Sequence, residues 1–175
     1  MVTALLAVTL ASCQAPPGAP AIANGQAALP GTDSAEYLDD LSSQPTVTEA
    51  RALEGILLLL GQQQKTTFAE AVQLLIERKI VDAAWDFQAD RAMTRGKAAY
   101  MIYQACNIRG GLMLTLAGPS RRYCLKELQY RGLMSPGLSY NPVTGMEYVA
   151  ILARADELRQ TGKVSAVMIR EGGLP

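Results

Sequence analysis

Counted from Thr48, Thr94 and Thr144, the apolar positions of this chain fall into one pattern three times. Ala52, Gly55, Ile56 and Leu59 follow the first threonine, Ala98, Met101, Ile102 and Ala105 the second, and Tyr148, Ile151, Leu152 and Ala155 the third. The spacing is i, i+3, i+4, i+7, one buried face of an α-helix. Each threonine follows an apolar residue, Val47, Met93 or Val143. Its hydroxyl is placed to cap the free amides of the helix's first turn. Thr144 and Glu147 also have the spacing of a capping box.

A second apolar stripe precedes two of these helices. Phe68, Ala71, Val72 and Leu75 lead into Arg78-Lys79-Ile80-Val81, and Cys124, Leu125 and Leu128 lead into Arg131-Gly132-Leu133-Met134. Ser120, after Pro119, is the expected cap of the later stripe, with Arg121 and Arg122 behind it. Gly132 suits the left-handed conformation that ends a helix. The loops that follow, 82–92 and 135–142, differ in length. The pattern predicts a mainly α fold of repeated helix-loop-helix units at about 33–61 (partial), 67–108 and 120–159, inside one domain spanning 32–175. Segments 112–116 and 164–169 read as short extended pieces.

Residues 2–12 carry no charge and end in Leu10-Ala11-Ser12-Cys13. A membrane-crossing helix needs about 20 apolar residues, so this shorter run reads as a signal peptide, 1–12. Residues 13–31, rich in Ala, Pro, Gly and Gln, lack the large apolar side chains needed to offset ordering entropy and read as a flexible tether. The Leu-Ala-Ser-Cys quartet resembles the lipobox of bacterial lipoproteins. That resemblance implies lipidation of Cys13, a mature chain beginning there, and attachment to a membrane. Gln14, rather than Asp, after the cysteine implies the periplasmic face of the outer membrane in a diderm. The basic residues that usually precede the apolar run are missing, which departs from the family pattern. The alternative is an ordinary signal cleaved elsewhere, with Cys13 an incidental thiol.

Charge narrows the partners. Lys+Arg 16 balance Asp+Glu 16, so no overall field attracts nucleic acid, and none is expected as a partner. The chain has no histidine, the commonest general base near neutral pH, and no metal-ligand spacing or glycine-rich phosphate loop. A non-enzymatic protein without metal or cofactor is the expectation. The acidic pairs Asp39-Asp40 and Asp156-Glu157 read as solvated charge. Cys106 and Cys124 either bridge in an oxidising compartment or stay as small buried thiols.

Over Ala71 to Ile108, "AVQLLIERKIVDAAWDFQADRAMTRGKAAYMIYQACNI", and over Leu125 to Leu158, "LKELQYRGLMSPGLSYNPVTGMEYVAILARADEL", the chain resembles the S-layer homology (SLH) domain. "VTEARALEGILLLLG" resembles the second half of a third repeat. The resemblance implies a repeat bundle that binds cell-wall polysaccharide or peptidoglycan in grooves between repeats, with a signature arginine on acidic groups of the polymer. Arg95 alone carries that arginine over; Glu49 and Gly145 stand at the matching positions. Lys97 replaces the signature glutamate that Glu147 keeps. Trp85 and Phe87 are sugar-facing candidates whose competing role is to plug the core. Arg91, Arg95 and Lys97 form either a local anion site or a solvated basic cluster. The expected protein is a lipid-anchored, non-catalytic envelope protein that binds a wall polymer; the alternative is a structural adaptor for another envelope protein.

Overall fold

Three backbone hydrogen bonds close a ring at the centre of the molecule. In this computed structural model, which describes residues 34–62 and 66–164, Met93 N donates to Val47 O (2.8 Å), Val143 N to Met93 O (3.0 Å), and Val47 N to Val143 O (2.9 Å). The side chains of all three ring residues are fully buried. This explains the apolar residue before each capping threonine: it is the meeting point of the three segments. Burying each is worth about 1.5–3 kcal/mol.

From the ring rise three helices, α2 (Glu49–Leu59), α4 (Arg95–Ala105) and α7 (Gly145–Thr161). As expected, Thr48, Thr94 and Thr144 accept hydrogen bonds from Arg51 N, Lys97 N and Glu147 N. Every residue of the three stripes is buried except Ala105, which is half-buried. Gly55 lets the helices approach closely, since a Cβ there would lie within 3 Å of Tyr37, Tyr148 and Leu152. The buried Tyr148 hydroxyl donates to Ala52 O (2.7 Å) and Tyr37's to Arg51 O (2.6 Å), which satisfies two phenols inside the core.

Outer helices cover this trio. α3 (Phe68–Glu77) packs on α2, α6 (Arg121–Tyr130) on α4, and α1 (Ser34–Ser43) on α7. α1 lies in the unit expected to be partial and contributes Tyr37 and Leu41 to the core. Ser120 caps α6 through Tyr123 N. Gly132 is left-handed, and Lys79 occupies the corresponding turn after α3 with φ 58°. The fold is therefore mainly helical, with seven helices and no strand among the described residues.

Two expectations need correcting. Segment 112–116 is not extended: it lies in a short helix, α5 (Leu112–Ala117). Its Leu and Met residues are good helix formers, and no neighbouring strand offers a ladder to pair with. Thr144 and Glu147 form only half a capping box, because the Glu147 carboxylate turns to Arg95 and Ser135. The complete box is Thr67 with Glu70, at the start of α3. The signal peptide 1–12, Cys13, the tether 13–31 and most of 164–169 lie outside the described residues.

Candidate functional site

The residues one and three places after each capping threonine meet across the helix junctions. At the first junction, Lys97 Nζ lies 2.5 Å from Glu49 Oε1, and Glu49 Oε2 accepts from Gln88 N at 2.7 Å. Glu49 is fully buried and Lys97 only 7 % exposed. At the second junction, Arg95 Nη1 lies 2.6 Å from Glu147 Oε1, and Nη2 donates to the carbonyl and hydroxyl of Ser135. Arg95 is 6 % exposed, and its Nε is closed off by Gly137, where a Cβ would come within 2.7 Å. The third junction has no such pair. A Cβ at Gly145 would lie 1.8 Å from Leu41 O, so no side chain fits there. Arg51 turns instead to Asp40 and Glu54 and stacks 4.8 Å from the Tyr37 ring.

These contacts correct the expected anion site. Lys97 is spent on the fully buried Glu49 and Arg95 on the partly exposed Glu147 at a different junction, and Arg91 pairs at the surface with Asp86 (2.8 Å), whose carboxyl its hydrogen bond holds below the usual range. Arg91 and Lys97 both donate to the Asp86 carbonyl, at 2.9 and 3.4 Å, while Arg95 lies at the other junction and does not join them. Arg95 braces two helices against each other and is enclosed against a polymer.

Trp85 and Phe87 are half-buried, between the core and sugar-facing roles. Lys97 Nζ lies 4.4 Å from the Phe87 ring centre and 5.9 Å from that of Trp85. Trp85 meets Tyr100 edge-on at 4.9 Å, and Arg121 lies 5.6 Å from its ring centre.

Arg121 leads into an open cleft of about 400 Å³, lined by Thr94, Ser120, Arg121, Arg122, Ser139 and Tyr140. Both arginines stand in the first turn of α6, are exposed, and pair with no carboxylate among the described residues. Two cations at the positive end of a helix repel it and each other, so an anion here relieves both costs. The Arg-Arg pair was visible in the sequence; Ser139 and Tyr140 were not assigned, because only the fold brings their loop to the start of α6. That loop is held by Gly96 N donating to Ser139 O (2.8 Å) and Arg95 N to Asn141 O (2.8 Å).

Cys106 and Cys124 are free thiols. Cys106 Sγ donates to Ala155 O at 3.7 Å, and Cys124 is buried on α6. Burial pushes the first up to about 11 and the second to about 12. Among the described residues no three His, Cys, Asp or Glu side chains gather as a metal site, and no helix is long and apolar enough to cross a membrane. Compared with protein-family models, curated proteins and solved structures, the chain matches none.

Proposed function

We propose that this chain is a lipid-anchored envelope protein whose SLH-like repeat domain binds an acidic cell-wall polysaccharide or peptidoglycan without catalysis. The observation that carries the reading is the cleft at the start of α6, where Arg121 and Arg122 have no carboxylate partner among the described residues and stand beside the hydroxyls of Ser120, Ser139 and Tyr140. Guanidinium forks suit carboxylate or phosphate groups of a polymer, and the hydroxyls suit its sugar oxygens. Trp85, under Arg121, adds a flat apolar face. Three similar helical units in chain order, α1–α2, α3–α4 and α6–α7 with α5 between the last two, support the repeat reading, and the first helix of each packs on the second helix of another. Lipidation of Cys13 would hold the domain at the membrane while the cleft engages the wall.

The test is co-sedimentation of the full chain, carrying Cys13→Ser to prevent lipidation, with purified wall sacculi. Saturable, salt-sensitive binding that falls at least about tenfold in Arg121→Ala/Arg122→Ala is expected. No binding by the folded parent protein overturns the reading. The adaptor alternative predicts a stable complex with an envelope protein that is indifferent to added polymer and to the arginine pair.

A further inference from the structure

Among the described residues, the large apolar side chains that stand exposed include three on α5. Leu112 is 73 % exposed, Met113 55 % and Leu116 75 %, while Leu114 anchors the helix inward. Soluble surfaces carry single exposed leucines without meaning, but three on one short helix form a patch that calls for an occupant. The surrounding charge indicates which. Between 109 and 131 the basic residues are Arg109, Arg121, Arg122, Lys126 and Arg131, against the single acid Glu127, in a chain whose net charge is zero. Glu127 is already engaged by Arg131 at 2.7 Å. Arg122, Lys126 and the exposed Tyr130 stand at i, i+4 and i+8 along one side of α6. A shallow hollow lined by Leu112, Met113, Tyr123 and Lys126 joins that side to α5.

We infer that α5 and this side of α6 form a second membrane contact, distinct from Cys13, that docks on an anionic lipid surface. Leu112, Met113 and Leu116 enter the boundary between headgroups and acyl chains, at a depth of about 5–10 Å. Arg122 and Lys126 lay their stems along the apolar layer and hold lipid phosphates, and Tyr130 sits at headgroup level. A protein groove is a poorer occupant, because α5 has only six residues (Leu112–Ala117) and offers less than two turns to a partner. The face shares Arg122 with the proposed polymer cleft, so its test leaves both arginines unchanged and alters only the α5 leucines.

The experiment is co-sedimentation of the full-length Cys13→Ser protein with vesicles of phosphatidylglycerol and phosphatidylcholine in equal parts, and with phosphatidylcholine alone. The partner protein in the comparison carries Leu112→Ser and Leu116→Ser, both exposed, with circular dichroism confirming that it is folded. Residues 2–12 are the same in both proteins, so any difference reports α5. Partitioning onto the mixed vesicles should fall at least about tenfold in the variant, and should fall for the parent on neutral vesicles. Equal partitioning of the two proteins overturns the inference. So does a patch that the substitutions affect only through self-association, seen by sedimentation velocity without vesicles.

Discussion

The Glu49–Lys97 pair is where the fold takes its largest electrostatic risk. Both groups are at least nine-tenths buried, and the Glu49 carboxylate has two partners, Lys97 at 2.5 Å and the Gln88 amide at 2.7 Å. Lys97→Met keeps most of the side chain's volume against Phe87 and removes the ammonium, with its ion pair to Glu49 and its longer hydrogen bond to Asp86 O (3.4 Å). Breaking one side of a buried pair costs about 3–5 kcal/mol, because the remaining charge is left without compensation. The surviving Gln88 hydrogen bond places the expected loss near the lower end, about 3 kcal/mol, or roughly 10 °C in melting temperature for a domain of this size. Adding Glu49→Gln should recover about 2 kcal/mol of that loss, since the amide oxygen still accepts from Gln88 N and no buried charge remains. Urea unfolding followed by far-ultraviolet circular dichroism measures all four proteins of the cycle; Trp85 fluorescence is unsuitable because the ring lies beside the mutated site. A single-mutant loss under about 1 kcal/mol, or strictly additive losses, would refute the account of a tightly coupled buried pair.

Lys79 holds a left-handed backbone at the turn where Gly132 serves after α6. Lys79→Gly should therefore stabilise by roughly 0.5–1 kcal/mol, relieved strain outweighing the added freedom of the unfolded chain, with the same denaturation assay as readout. For the cysteines, burial raises both thiols, so the fold favours their neutral form. Their contribution is complete below the ordinary value of 9.0 and is lost as pH rises through about 11 for Cys106 and about 12 for Cys124. In the Cys13→Ser protein at pH 8, aromatic disulfide reagents should react with both at least about a hundredfold more slowly than in urea; equal rates would contradict the burial.

Periodicity made the three central helices legible, because a helix face repeats within the sequence itself. The threonine caps were legible for the same reason: they are local, and each satisfies its own first turn. α1 was harder, since only Tyr37 and Leu41 mark its buried side, and they meet Arg51 on α2 and Gly145 at the start of α7, the latter far along the chain. The Arg95 reading failed for a related reason. Its position in a signature is a local fact, but its burial is set by Glu147, Ser135 and Gly137, which come from a distant part of the sequence, Ser135 being 40 and Glu147 52 residues away. The same holds for the cleft, where Arg121 and Arg122 were visible but Ser139 and Tyr140 join them only through the fold.

The two charged junctions carry opposite arrangements, and this matters for how the helices assemble. α2 presents an acid, Glu49, to the base Lys97 of α4, while α4 presents a base, Arg95, to the acid Glu147 of α7. If the three helices closed in the reverse order around the ring, Glu49 would face Glu147 and Arg95 would face Arg51, like against like, with one member of each pair buried. Such juxtapositions cost several kcal/mol. The ring residues Val47, Met93 and Val143 are all apolar and fully buried, so they carry no charge pattern that distinguishes one order from the other. Gly145 finishes the specification by admitting Leu41 at a distance no other residue tolerates, which fixes α1 on α7. Charge alternation favours the observed order of the ring, in which α6 lies against α4 and Ser139 and Tyr140 stand beside two arginines that pair with no carboxylate among the described residues.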